Sequence, residues 1–310
     1  MALSETLLYA SLTVVAFYGF YQVFNAASAY INDYFNTVLV VHPNLNGVFY
    51  AVSYWTEKGG RPYQEDRYDM MKGTGHKDSS LYALFDGHGG AKASQYCKDH
   101  LLKYIQADVN FENNTVASIM NSFRKLDEEF TSIAKRHMLS DGSTAVVAVI
   151  NDRKVYVANA GDSRAIIVHK GGKAKAMSQD HKPSREDEAR RINNLGGKIV
   201  YWGQWRVQGV LAVSRSFGDI SLKPYVTAEP EVMEKVITSD DLYLVLASDG
   251  LWDVMSNEDV ARFLMNVSNF SQVAKELCYE ATILGSADNI TVVVVDLKSV
   301  IASTSVTTVN

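Results

Sequence analysis

The sequence predicts an α+β domain of antiparallel β-sheets flanked by helices. Three observations predict it. Strands occur in consecutive groups separated by helices rather than alternating with them one for one, which argues against a strict βαβ sheet. Several strands are nearly continuous apolar runs, as expected where both faces are covered. The 310 residues, 47% hydrophobic and 21% charged, are long enough and apolar enough for a sizeable core.

In order, residues 48–55, 81–85, 144–150, 155–159, 165–169, 242–247 and 290–297 read as strands, being rich in Val, Ile, Tyr and Leu. Residues 68–71 form a further short segment. Residues 91–106, 114–136, 184–195, 256–266 and 271–284 read as helices. Ser184 with Asp187, and Ser256 with Asp259, suit helix starts, because a side-chain hydroxyl accepts from the free first-turn amides. No internal repeat or low-complexity segment interrupts the series.

The charge is unevenly placed. Acids number 35 and bases 30, so no basic surplus exists to neutralise a nucleic-acid backbone and nucleic acid is not an expected partner. Residues 1–47 carry only Glu5 and Asp33 as charged groups. Residues 7–24 are mostly apolar and about as long as a bilayer-spanning helix. They are expected to form a single-pass membrane anchor, with 25–47 as linker. The competing readings are a cleaved signal, a transit peptide and a helix packed on a soluble cytoplasmic domain. The first lacks a basic n-region and the second lacks arginine. Residues 48–300 form the expected catalytic domain and 301–310 a polar tail. Cys97 and Cys278 lie far apart without metal or redox spacing and read as core thiols.

The chemistry lies in carboxylates at strand ends. Residues 81–85 run into Asp86-Gly87, and 244–248 run into Asp249-Gly250. Glu65-Asp66 precedes the segment 68–71, and Asp288-Asn289 precedes the last strand. A carboxylate at the end of an apolar strand costs free energy unless it is compensated. Mg2+ or Mn2+, which prefer oxygen ligands, compensate it well; with His88 the only histidine nearby, zinc is disfavoured. A lone Asp-Gly is usually a turn, and Asp141-Gly142 reads that way.

Taken together and in order, the motifs are specific. They run Arg61-Pro62-Tyr63-Gln64-Glu65-Asp66, Phe85-Asp86-Gly87-His88-Gly89-Gly90, Asp141-Gly142-Ser143-Thr144-Ala145 and Gly161-Asp162-Ser163-Arg164. Asp180-His181-Lys182-Pro183, Ser214-Arg215-Ser216-Phe217-Gly218-Asp219, Ser248-Asp249-Gly250-Leu251-Trp252-Asp253 and Asp288-Asn289 complete them. Over residues 48–297 the chain resembles the metal-dependent protein phosphatases of the 2C type, which are specific for phosphoserine and phosphothreonine.

That resemblance implies a four-layer αββα sandwich of two stacked antiparallel sheets with helices on both outer faces. It implies two Mg2+ or Mn2+ ions held by Asp66, Asp86, Asp249, Asp288 and the carbonyl of Gly87. Glu65 would hold a metal-bound water, and Asp253 is a candidate outer acid. Arg61 would grip the substrate phosphate, since a planar fork of donors suits its oxygens. A water between the ions would attack phosphorus, and His88 would protonate the leaving oxygen. A third ion site is doubtful because Leu139 stands where many relatives carry Asp. Asp162, Ser163, Arg164, Arg215 and Asp219 read as structural turns, and His181 takes no catalytic role. Tyr201, Trp202 and Trp205 read either as a substrate or partner surface beside the cleft or as local packing. The implied partners are phosphoproteins, met by a monomer whose catalytic domain faces the cytosol. A catalytically impaired scaffold that binds phosphoproteins is the alternative function; the retained metal and phosphate residues favour the enzyme.

Overall fold

The computed structural model describes residues 40–43, 49–73, 79–151 and 153–298. The expected anchor at 7–24 and the tail at 301–310 lie outside them. Among the described residues no helix is long and apolar enough to cross a membrane.

The strands are β1 (Val40–Pro43), β2 (Phe49–Glu57), β3 (Arg67–Lys72), β4 (Ser79–Phe85), β5 (Gly87–His88), β6 (Gly142–Ser143), β7 (Ala145–Asn151) and β8 (Lys154–Ala160). They continue with β9 (Arg164–His169), β10 (Lys173–Ala176), β11 (Ile199–Trp202), β12 (Gln204–Val207), β13 (Phe217–Gly218), β14 (Glu231–Val236), β15 (Asp241–Ala247) and β16 (Ile290–Asp296). The helices are α1 (Lys92–Ala107), α2 (Thr115–His137), α3 (Glu186–Asn194), α4 (Asp249–Trp252), α5 (Asn257–Met265) and α6 (Val273–Ile283).

One sheet has the order β1-β2-β16-β15-β9-β10 and the other β14-β8-β7-β4-β3. Neighbouring strands in both are antiparallel. Strand alternation then sorts the apolar runs into layers. In β7, Val146, Ala148 and Ile150 face the space between the sheets, where they meet Leu84, Ile167, Leu246 and Val293. Their neighbours Ala145, Val147 and Val149 face outward onto α1 and α2, packing with Leu101, Ile105, Phe123 and Leu126. On the far side Ile166, Val245, Val292 and Val294 pack under α5 and α6, against Leu264, Val273 and Leu277. Continuous apolar strands are therefore continuous because both faces are covered, and the four-layer sandwich is the observed architecture.

The helix starts follow the sequence unevenly. Ser256 and Asp259 form the expected reciprocal capping pair at α5. Ser184 does not cap α3: the residue before that helix is Arg185, whose side chain makes no cap bond. The acids Glu186, Asp187 and Glu188 of its first turn suit the positive end of the helix dipole instead. Cys97 and Cys278 are buried free thiols, as expected.

Candidate active site

The strand ends of both sheets converge on one cleft of about 360 Å³, lined by Arg61, Glu65, Asp86, His88, Asp249 and Asp288 among others. Register explains the convergence. Arg67 pairs with Phe85, so Asp66 and Asp86 leave neighbouring strands side by side. Ala247 pairs with Val292, so Asp249 and Asp288 emerge together from the other sheet. Between β8 and β9 the chain crosses from one sheet to the other through Gly161, Asp162 and Ser163.

Asp86, Asp162 and Asp249 each present a carboxylate oxygen within 4.8 Å of the others. Desolvation, then the charges of Asp249 and Asp66, push the Asp86 carboxyl well above the usual range. Desolvation, then Asp162 and Asp253, do the same to Asp249. Burial drives Asp66 up to about 6, although it accepts hydrogen bonds at Oδ2 from Thr291 Oγ1 (2.7 Å) and Ser248 Oγ (2.9 Å). Its Oδ1 is buried without a hydrogen-bond partner. Clustered acids that disfavour their own charge, with one buried oxygen left over, fit a hard divalent cation. Asp288 bonds instead to Arg61, whose Nη2 donates to Oδ2 at 2.5 Å.

Asn289 shapes this end of the cleft. Its Nδ2 donates to the carbonyls of Lys58 (2.8 Å) and Tyr63 (3.0 Å), and its Oδ1 accepts from the amide of Glu65 (2.8 Å). These bonds hold the loop that carries Arg61 and Glu65. Sequence reasoning singled out the Asp288-Asn289 pair but gave this structural role to neither residue.

Asp162, read as a structural turn, belongs to the acid cluster; it is nearly buried and pairs with Lys182 Nζ. The signal for it was the same as for Asp86, an acid where a buried strand ends. Leu139, an apolar residue without a ligand atom, packs against Ala93, Phe130 and Ala134. Asp141 does more than turn the chain: its Oδ1 accepts from the first amide of α1, that of Lys92, at 2.9 Å. Arg164 is structural as expected, donating to both Asp180 oxygens (2.9 and 2.7 Å) and to Asn257 (2.8 Å). Arg215 is held by Glu188. His181 is buried beside Glu231, and burial lowers it to about 4. Asp253 lies in the cleft wall. Asp219, expected to be structural only, touches His88: Nε2 donates to its Oδ2 at 2.8 Å. Burial opposes a charge on His88, but Asp219 outweighs it and holds the imidazole above its usual value.

The β11–β12 hairpin rises beside the cleft and places Gln204 and Arg206 in its wall. Trp202 is 78% exposed and Tyr201 62%. Tyr201 packs edge-on against Trp205 across the hairpin, with ring centroids 5.1 Å apart, so local packing accounts for part of this cluster.

Residues 65–290 match the family described as "Protein phosphatase 2C". The chain is 44% identical to the "Probable protein phosphatase 2C 52" of Oryza sativa subsp. japonica, over 81% of itself and 51% of that protein. It is 43% identical to the "Probable protein phosphatase 2C 59" of Arabidopsis thaliana, over 81% of itself and 80% of the relative. A rice relative with 44% identity, covering 78% of this chain and 67% of its own length, is named "Probable protein phosphatase 2C member 13, mitochondrial". Among solved structures, the serine-threonine phosphatase 2C of Toxoplasma gondii superposes with a TM-score of 0.72 at 25% identity, over 84% of this chain and 98% of that one.

Proposed function

Because the chain belongs to the protein phosphatase 2C family, we propose that it is a metal-dependent protein serine/threonine phosphatase, hydrolysing phosphoserine and phosphothreonine in signalling proteins. The observation that carries this reading is the meeting of the Asp86, Asp162 and Asp249 oxygens in the cleft that also holds Arg61 and His88. Asp66, Asp86, Asp249, Asp288 and the Gly87 carbonyl would hold two Mg2+ or Mn2+ ions, with Asp162, Glu65 and Asp253 beside them. When bound, the ions activate water and neutralise charge on the phosphoryl oxygens.

The protein's own groups do the rest. Arg61 offers a planar fork to two phosphate oxygens and orients the ester. Its resting bond to Asp288 keeps it in reach of the cleft. Both thiols are buried in the core, so neither reaches the cleft as a nucleophile. His88 gives its proton to the departing serine or threonine oxygen. The exposed Trp202 and Tyr201 extend the cleft as a surface for the phosphoprotein.

Release of phosphate from a phosphothreonine peptide with Mn2+, and its loss with EDTA, tests the reading. No metal-dependent release would leave only a phosphoprotein-binding scaffold. His88→Ala is expected to slow the peptide roughly 100-fold or more, but an aryl phosphate far less, since a phenolate departs without a proton. Equal losses on both substrates would remove His88 from its role.

Residues 7–24 are the proposed anchor of a monomer whose catalytic domain faces the cytosol. Carbonate extraction with protease protection of a C-terminally tagged chain tests it. Release of the tag as soluble protein refutes the anchor.

A further inference from the structure

His88, Gly142 and Gly218 lie side by side on the small sheet β13-β6-β5: Gly142 pairs with His88 on one side and Gly218 on the other. Asp219 follows Gly218 and reaches back across Gly142 to His88. The passage exists because residue 142 has no side chain. A Cβ there would lie 2.1 Å from Asp219 Oδ2 and 2.3 Å from His88 Nε2.

Asp219 pays for its position in backbone conformation, with φ at +47°, in the left-handed region that most residues avoid. Its surroundings over-determine that conformation. Ser216 Oγ donates to the same Oδ2, the Asp219 amide donates to the Asp141 carbonyl (3.3 Å), and its carbonyl accepts from Leu222 (2.8 Å). The preceding amide, that of Gly218, donates to Asp127 Oδ1 on α2 at 3.1 Å. The Asp219 side chain is 8% exposed, whereas that of His88 is 28% exposed and lines the cleft. An acid held at a positive φ by these bonds, with its carboxylate shared between Ser216 and a cleft histidine, does more than a turn requires.

We propose that Asp219 is a positioning residue for phosphoester cleavage: by accepting the Nε2 hydrogen it fixes the His88 ring and leaves Nδ1 to serve the leaving group. The proposal rests on the reading of His88 as proton donor. As the P–O bond breaks, the departing serine or threonine oxygen takes the Nδ1 proton of the doubly protonated ring, which becomes neutral and keeps its Nε2 hydrogen, still donated to Asp219. An imidazole oriented by a third group in this way is the arrangement that makes histidine an efficient proton carrier. Ser216 in turn orients Asp219.

The test compares kcat/KM on a phosphothreonine peptide and on p-nitrophenyl phosphate. Asp219→Asn keeps the side-chain volume, and Asn tolerates a positive φ. It is expected to lose roughly 10- to 100-fold on the peptide and less than about 3-fold on the aryl ester. Added to His88→Ala, it should cost no further selectivity, because it acts through that ring. A merely structural role would lower both substrates together, and that result, or an unchanged peptide rate, overturns the proposal. Ser216→Ala should show the same split at smaller size, and it decides the matter by the same outcomes if Asp219→Asn does not fold. A wild-type protein that releases phosphate from neither substrate overturns the phosphatase reading itself, and the positioning role with it.

Discussion

Asp249→Asn is expected to lower turnover roughly 10³-fold while making the metal-free protein more stable. Loss of a metal ligand forfeits several kcal/mol of charge stabilisation, and about 1.4 kcal/mol is tenfold in rate. The gain in stability has a separate cause. Without a cation, Asp249 sits among Asp162, Asp86, Asp253 and Asp288, where desolvation and like charge both oppose its ionisation. An amide in its place removes one repulsive charge. Thermal unfolding in EDTA should show a midpoint raised by about 2–4 °C. Calorimetric titration with Mn2+ should show weakened binding or the loss of a site. Wild-type rates, or a lowered midpoint in EDTA, would contradict the assignment.

Glu188→Gln should destabilise the domain by about 3 kcal/mol, because it strands two partly buried arginines. Glu188 is 1% exposed. Its carboxylate accepts from Arg191 Nη2 (2.8 Å), Ser214 Oγ (2.6 Å) and Arg215 Nη2 (2.6 Å). Burial alone would raise its pKa, but Arg215, Arg191 and Ser214 outweigh burial and hold it down to about 2. A depressed carboxyl stabilises the fold at pH values above its unfolded pKa of 4.5. That contribution fades as pH falls from there towards 2, and the shift is worth about 3 kcal/mol. The variant should therefore unfold at lower urea at pH 7 with an unchanged m-value, and its deficit should shrink on acidification. A deficit independent of pH would point to packing rather than charge. The site feels this anchor too, since Ser214 and Arg215 begin the stretch that ends in Asp219.

The interior of the sandwich was legible because it is apolar. Residues 81–85, 155–159 and 290–297 read as strands, and the structure places them inside their sheets rather than at an edge. The strands that escaped notice lie elsewhere. β10, with Lys173 and Lys175, and β14, with Glu231 and Glu234, are edge strands with exposed or half-exposed side chains. Edges carry charge to discourage pairing with other chains, and charge erases the apolar signal. The β11–β12 hairpin was read as an aromatic surface segment rather than as strands, and its exposure explains why. In the site, the acids at strand exits were visible one by one. Asp162 escaped because Arg164, two residues on, gave a structural reason for the whole motif. Asp219 escaped because its contact with His88 depends on the pairing of three two-residue strands, too short to leave a periodicity.

The crossing between β8 and β9 carries a further consequence. Asp162 rides on the crossover, Asp86 belongs to one sheet and Asp249 to the other, so the distances among their oxygens gauge how the two sheets are aligned. A slight slip of one layer over its neighbour would spread these ligands apart before any strand came undone. Residues such as Ile167 and Val146, deep in the seam and outside the cleft lining, thereby act as calibration screws for the chemistry. Catalytic competence should be the first property surrendered when that seam loosens, and compactness the last.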